Sequence, residues 1–574
     1  MTEITEIGRE CRFAFHVPKK GYEDDDVHFV KEIIHYSDGT RKPNIRTIRN
    51  YERPVWITQP SYRNHSQKKE YEHVDKLIMK KTTQSDLRFT IAKLLDKPWS
   101  RDPLRVLCDS PYVYGADLTS TSWIKRQYQQ KYPNLNTTYD VATLDIETDV
   151  INGTEDILMI NCVHGKTLMS VVSSVFVEGI ADPIPSIKRL MKQYIQEYID
   201  KLELEVVIKI ANGPVEVIKE TFKWLHERKP DFLSIWNMDF DIPRILGQLE
   251  KYGIDPKSVL CDPSIPDNLK VCYYKQGPKK KVTASGKVQP INPSSQWHTL
   301  FLTASFYVID AMCVYKRIRL SKQEESSYAL DDILDKILGI RKLNFKEADG
   351  YVKLKWHQFM QTNYKLHYIV YGQFDAISMV ELDMKTKDLR STMPDMCGIT
   401  DFKDFKSLPK QIEDDFFFFC QNKGYILATL PSGKEKKKIP NMEYDDDIDN
   451  RKESEEEDEE DQYDILSLRG WIVTLKSHMS SLGLQLIEED SNIRTNIRCL
   501  VFDSDEVSAY PSGIQASNLS KSTTKRELID IEGVDEDVFR MQNINLMFGD
   551  TNSIEYSVNM FNTLKPYELL EQLK

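Results

Sequence analysis

The sequence predicts a soluble, mixed α/β protein of several domains, and three observations carry that prediction. At 574 residues the chain is long enough for more than one sizeable core. It is 40% hydrophobic and 29% charged, the balance of a globular protein rather than of a disordered chain. From about Thr138 the pattern runs strand, strand, strand, helix, strand, helix, which suits a sheet flanked by helices. No apolar run approaches the ~20 residues of a membrane span, and the greasiest stretch, FFFFC at Phe416 to Cys420, is far too short. The start, MTEITEIGRECRF, lacks the basic-then-apolar pattern of a signal peptide. Nine cysteines without a C-x-x-C pair predict reduced thiols in a cytoplasm, not zinc or disulfides.

The net charge of −12 argues against a nucleic-acid protein until it is located. The segment EYDDDIDNRKESEEEDEEDQYD, Glu443 to Asp464, holds fourteen acids and two bases, so the rest of the chain is neutral overall. Such a block repels itself and predicts a disordered surface insert at 443–464. A basic groove elsewhere stays compatible with the composition.

Residues 1–137 read as an amino-terminal, β-rich domain, with a hairpin at YSDGTRKP around Asp38-Gly39. The stretch EHVDKLIMKKTTQSDLRFTIAKLL reads as more helical. In 138–388, DVATLDIE, DILMINCV and TLMSVVSSVFV read as successive strands of one sheet. VEVIKETFKWLHERKP is an amphipathic helix ended by Pro230, followed by the strand DFLSIWN and the helix IPRILGQLEKYG, closed by Gly253. YIVYGQFDAISMVELD has apolar residues at helical spacing. Residues 389–574 read as a linker and a further domain containing the strand-like RGWIVTL and RCLVFDSD.

Acidic side chains recur at the ends of these elements. Asp145 and Glu147, in TLDIETDV, are two apart on a strand and so share one face. Like charges that close repel unless a cation lies between them, although ordinary acids at an exposed strand end give the same pattern. Asp241, in WNMDFDIP, lies where a strand turns into a helix, a position that also suits a helix cap. Tyr371 and Asp375 stand one helical turn apart. Together the four acids meet the demand of two-metal phosphodiester hydrolysis, in which carboxylates hold two cations roughly 3.5–4 Å apart. Mg²⁺ or Mn²⁺ prefers such oxygen ligands, and a phenol near a ligand could orient the attacking water.

DIET, N-x-x-F-D (Asn237 to Asp241) and Y-x-x-x-D (Tyr371 to Asp375), in this order, resemble the three exonuclease motifs of family B DNA polymerases, especially those of bacteriophages. The second motif is one residue shorter between Asn and Phe than the family's common form. The resemblance implies a ribonuclease-H-like 3′→5′ exonuclease domain over 138–388 that removes mismatched nucleotides from a primer end. It implies that Asp145, Glu147, Asp241 and Asp375 ligate two Mg²⁺ or Mn²⁺ ions, that Tyr371 positions water, and that Asn237 and Phe240 contact substrate.

CLVFDSDEVSAYPSG resembles polymerase motif A of the same family, D-x-x-S-L-Y-P-S, with Ala509 in place of Leu. The resemblance makes Asp505 a ligand for the metal ions that bind the incoming dNTP. It puts Ser508 and Tyr510 at the substrate, with Tyr510 under the sugar, where a ribose 2′-OH is excluded. The family's fingers motif, K-x-x-x-N-S-x-Y-G, is absent. MFGDTNS, Met547 to Ser553, imitates the later D-T-D turn but carries Asn552 where the second acid belongs, and it follows motif A too closely for fingers to intervene. The palm is therefore expected to be partial, completed by a second polypeptide supplying fingers, thumb and the remaining acid. The alternatives are a stand-alone exonuclease with a relic palm, or a non-catalytic DNA-binding scaffold subunit of a replication complex.

Lys279, Lys280 and Lys281, in a turn-rich segment between the second and third nuclease motifs, are candidate phosphate contacts, and a solvated lysine loop reads the same. The expected partners are primer–template DNA, a single-stranded 3′ end, the second polymerase chain and a sliding clamp, with no membrane. The expected location is the cytoplasm of an infected bacterial host.

Overall fold

The computed structural model describes residues 4–21, 24–98, 100–282, 287–320 and 324–429, with the strand pair Met547–Phe548 and Thr551–Asn552. The chain divides into two compact units, Met1–Lys281 with Val288–Tyr444, and Val282–Lys287 with Asp445–Lys574. In the second unit the described strands pair antiparallel, Met547 opposite Asn552 and Phe548 opposite Thr551. Asp505, Ser508, Tyr510 and the acidic insert 443–464 lie outside the described residues.

The first unit is mixed α/β. It opens with an antiparallel meander of Glu6–Val17, Val27–Tyr36 and Arg41–Arg49. Gly39, at φ +83°, makes the turn that Asp38-Gly39 predicts. The central strand is buried along nearly its whole length, so its polar side chains need partners. Lys31 Nζ donates to the carbonyls of Lys229 at 2.7 Å and Ser305 at 2.8 Å, and lies 3.6 Å from Asp231. From the neighbouring strand, buried Arg12 reaches Glu10 at 2.6 Å and Asp231 at 3.0 Å. These bonds fasten the meander to the segment that enters the central sheet.

Leu77–Thr83 departs from the helical expectation: it is a strand, and the stretch is helical only at the short 3-10 turn Val74–Lys76 and in the α-helix Leu87–Leu94. The strand pairs in full with Glu52–Thr58, from Thr58 opposite Leu77 to Glu52 opposite Thr83. Tertiary strand pairing overrides the helix propensity of Leu, Met and Lys there.

Six strands form the central sheet: β1 (Val141–Thr148), β2 (Ile157–His164), β3 (Thr167–Ser173), β4 (Glu205–Ala211), β5 (Phe232–Ile235) and β6 (Tyr307–Asp310). Their order is β4-β3-β2-β1-β5-β6. β2 runs antiparallel to both β1 and β3, whereas β4 is parallel to β3, and β5 is parallel to β1 and β6.

The helices around it are α1 (Pro183–Tyr194), α2 (Pro214–Arg228), α3 (Met238–Lys251), α4 (Ala311–Ile318), α5 (Leu330–Leu338), α6 (Leu354–Asn363) and α7 (Lys365–Thr386). Ala142, Leu144 and Ile146 of β1 pack with Phe222 and Leu225 of α2 and with Ile242, Ile245 and Leu249 of α3. On the other face Leu168 and Val172 meet Met191 of α1 and Phe374 and Ile377 of α7. Strand alternation therefore turns Thr143, Asp145 and Glu147 toward α7, and Thr143 Oγ1 donates to the Ala376 carbonyl at 2.8 Å.

α3 begins at Met238, four residues before the expected start, with Pro243 inside it. Its first turn is stabilised from outside, since Asp310 Oδ2 accepts the Met238 N–H at 3.0 Å. Among the described residues no helix is long and apolar enough to cross a membrane.

Candidate metal centre

The centre is built where β1 meets α7. Asp145 lies opposite Asn161 and Glu147 opposite Met159 in the β1–β2 ladder, with a bulge just after Glu147. α7 lies flush on this face because residue 372 is glycine. A Cβ there would stand 2.8 Å from Asn161 Nδ2 and 3.3 Å from Glu147 Cγ, so only glycine gives this approach without a shift. The close approach carries Asp375, one turn after Tyr371, into the acids of β1. Oxygens of Asp145, Glu147 and Asp375 all lie within 4.8 Å of one another.

Two oxygens, Asp145 Oδ2 and Asp375 Oδ1, are buried without a hydrogen-bond partner. Orphan acceptors of that kind are costly unless something positive binds them. Burial, then the charges of Asp375 and Glu147, holds the Asp145 carboxyl well above the usual carboxylate range. Burial pushes Glu147 up to about 8, against the Tyr368 hydroxyl, which pulls it down. Asp375 is raised by burial despite the ammonium beside it. The cluster is thus a set of hard oxygen donors short of positive charge, a donor set that fits a divalent cation.

Asp241 belongs to the same neighbourhood without joining the tight trio. It is buried, and its carboxyl is raised by burial and then by the charge of Asp145, while the Ile146 N–H opposes the rise. The charge it meets from Asp145 sets it beside that residue. Helix capping does not explain it, because Asp310 does that work for both α3 and α4. Asp310 Oδ1 accepts the Cys313 N–H at 2.9 Å, leaving Asp241 free for another role.

The sequence reading missed Lys342, which the structure puts among the acids. Its Nζ donates to Asp375 Oδ2 at 2.6 Å and to the Tyr371 hydroxyl at 3.3 Å. Burial opposes its charge, but Asp375 and Asp145 outweigh that and raise its pKa. The loop is set by α5: the Lys342 N–H reaches Asp331 at 2.7 Å, and Arg341 bridges Asp331 at 2.8 Å and Asp335 at 2.6 Å. A lone lysine in an aperiodic stretch gives no local signal. Tyr368 was also missed, although its place three residues before Tyr371 puts it on the same helical face.

Other expected site residues sit nearby with more modest arrangements. Asn237 precedes α3 and makes no side-chain cap bond. Phe240 is 39% exposed, under the Arg244 guanidinium 3.7 Å from its ring centre. Lys279 Nζ is tied to Asp239 at 2.9 Å, and Gln276 binds the same carboxylate at 2.6 Å, so the lysine segment is fastened to the first turn of α3. Lys280 is exposed and Lys281 half-buried. Compared with protein-family models and with curated proteins, the chain matches none.

Proposed function

We propose that the first unit is a 3′→5′ exodeoxyribonuclease of the proofreading kind, working with two Mg²⁺ or Mn²⁺ ions at the Asp145 cluster. The observation that carries this reading is the convergence of Asp145, Glu147 and Asp375, from a strand and a helix far apart in sequence, to within 4.8 Å. The sheet adds support. It is a mixed sheet flanked by helices in which only β2 is reversed, the kind of scaffold this reading asks for.

Asp145, Glu147 and Asp375 would hold one ion, and Asp145 with Asp241 the other. Bound ions of this type lower the pKa of water and neutralise charge in the in-line transition state. The protein's own residues supply orientation. Burial, then the charges of Asp375, Glu147 and Asp145, keeps the Tyr371 phenol protonated, so its hydroxyl can direct a water without losing its proton. The Lys342 ammonium, held by Asp375 Oδ2 and the Tyr371 hydroxyl, offsets part of the surplus negative charge. Phe240 offers a half-exposed ring against which a terminal base can rest.

The wider reading is a DNA-directed DNA polymerase component of the family B, bacteriophage type. Asp505 and Tyr510 would contribute motif A to a palm that another polypeptide completes with primer–template DNA and dNTP. The nuclease test is release of nucleotides from 3′-labelled single-stranded DNA in Mg²⁺. The wild-type chain is expected to degrade it and Asp145→Ala to leave it intact. Equal behaviour of the two overturns the nuclease reading. Failure of the chain to extend a primer with its candidate partner overturns the polymerase reading alone.

A further inference from the structure

We propose that Tyr368, steadied by His357, is a positioning residue that fixes the Glu147 carboxylate for cation binding; the inference rests on the metal-dependent reading above. Tyr368 is fully buried on α7, and its hydroxyl is bonded to Glu147 Oε2. A carboxylate only accepts, so when Glu147 is ionised, as ligation requires, the single phenolic proton goes to it. Oε1 is left for the ion.

His357 of α6 completes the arrangement. Its Nδ1 lies 2.9 Å from the Tyr368 oxygen, and that oxygen has already spent its proton. The imidazole must therefore donate, which assigns the proton to Nδ1. Gln361, whose amide donates to the Thr148 carbonyl at 2.8 Å, flanks the same hydroxyl. The α6 helix is thus tied to the strand end and to the tyrosine at once. The Tyr368 and Tyr371 rings stack at 5.8 Å with 13° between planes, so the support of Glu147 and the orientation of the Tyr371 hydroxyl share one rigid face. Outer partners of this kind orient metal ligands, and their loss typically costs about 10–100-fold in metal affinity or activity.

The test compares full-length wild type, Tyr368→Phe, His357→Leu and His357→Asn by calorimetric Mn²⁺ binding, by Mg²⁺ dependence of end removal, and by thermal melting. Tyr368→Phe should weaken Mn²⁺ binding by about tenfold and raise the half-saturating Mg²⁺ in parallel, with rate recovered at high metal. His357→Leu should move both readings in the same direction. His357→Asn, which keeps an N–H near the Nδ1 position, should restore them. A merely structural role would change melting without changing metal dependence. Mn²⁺ binding equal to wild type in Tyr368→Phe overturns the inference while leaving the nuclease reading intact. Absence of Mn²⁺ binding by wild type overturns both. Should Tyr368→Phe fail to fold, the His357 pair decides: equal Mn²⁺ binding by His357→Leu and His357→Asn overturns the inference.

Discussion

The ammonium of Lys342 lies 2.6 Å from Asp375 Oδ2, so the acidic centre carries its own counter-charge before any ion arrives. That contact explains how a strand and a helix can bring three carboxylates together without driving each other apart. Lys342→Met should destabilise the metal-free protein by about 1–3 kcal/mol, the cost of leaving a buried polar group unpaired. Mg²⁺ should restore part of the loss. Urea unfolding with and without Mg²⁺ measures both, and an unchanged midpoint would contradict the role given to this lysine.

Asp145→Asn should act in opposite directions on activity and stability. End removal is expected to slow on the order of 10²–10³-fold, the size of effect seen when one electrostatic contact to a transition state is lost. The metal-free protein should melt higher, because folding no longer has to keep a carboxyl protonated against burial and the charges of Asp375 and Glu147. A drop in melting temperature would count against that cost.

The pH dependence follows from Glu147, whose carboxyl rises from its ordinary 4.5 to about 8. Between those values the unfolded chain releases a proton that the folded chain keeps, so stability falls as pH rises. Buried His28 and His357, each lowered from 6.5 to about 4, act the other way, but only below pH 6.5. The clean window is therefore pH 6.5 to 8. Melting temperature without metal should fall across it, less steeply in Glu147→Gln. Mg²⁺ affinity should rise over the same range as the ligands ionise.

Gly372→Ala sets two effects against each other. Alanine gains about 1 kcal/mol of helix propensity, whereas forcing a methyl into a packed site costs about 1–3 kcal/mol. The added Cβ would stand 2.8 Å from Asn161 Nδ2 and 3.3 Å from Glu147 Cγ, so the clash should prevail. Lower stability and weaker Mn²⁺ binding are expected together. A stabilised variant with normal binding would mean that the helix moves without cost.

Arg12→Met tests the seam between meander and central sheet. Arg12 reaches Glu10 at 2.6 Å and Asp231 at 3.0 Å with all three side chains buried. Removing one partner of such a network costs about 3–5 kcal/mol. A loss of unfolding free energy in urea below a third of that would show the acids finding other partners.

The sequence by itself determined what depends on near neighbours. The alternation of TLDIET put Asp145 and Glu147 on one face, and the helical spacing of YGQFD put Tyr371 and Asp375 on another, because periods of two and of about 3.6 residues are local properties of the backbone. Local propensity misread Leu77–Thr83, whose strand exists only because Glu52–Thr58 lies alongside it. Only the tertiary structure decided the company those acids keep. Gly372 as the point of closest approach, Asp310 as the cap that frees Asp241, and Lys342 as the internal counter-charge all join residues distant in the chain. Their energies come from burial and charge in three dimensions, which leave no periodic trace in a sequence.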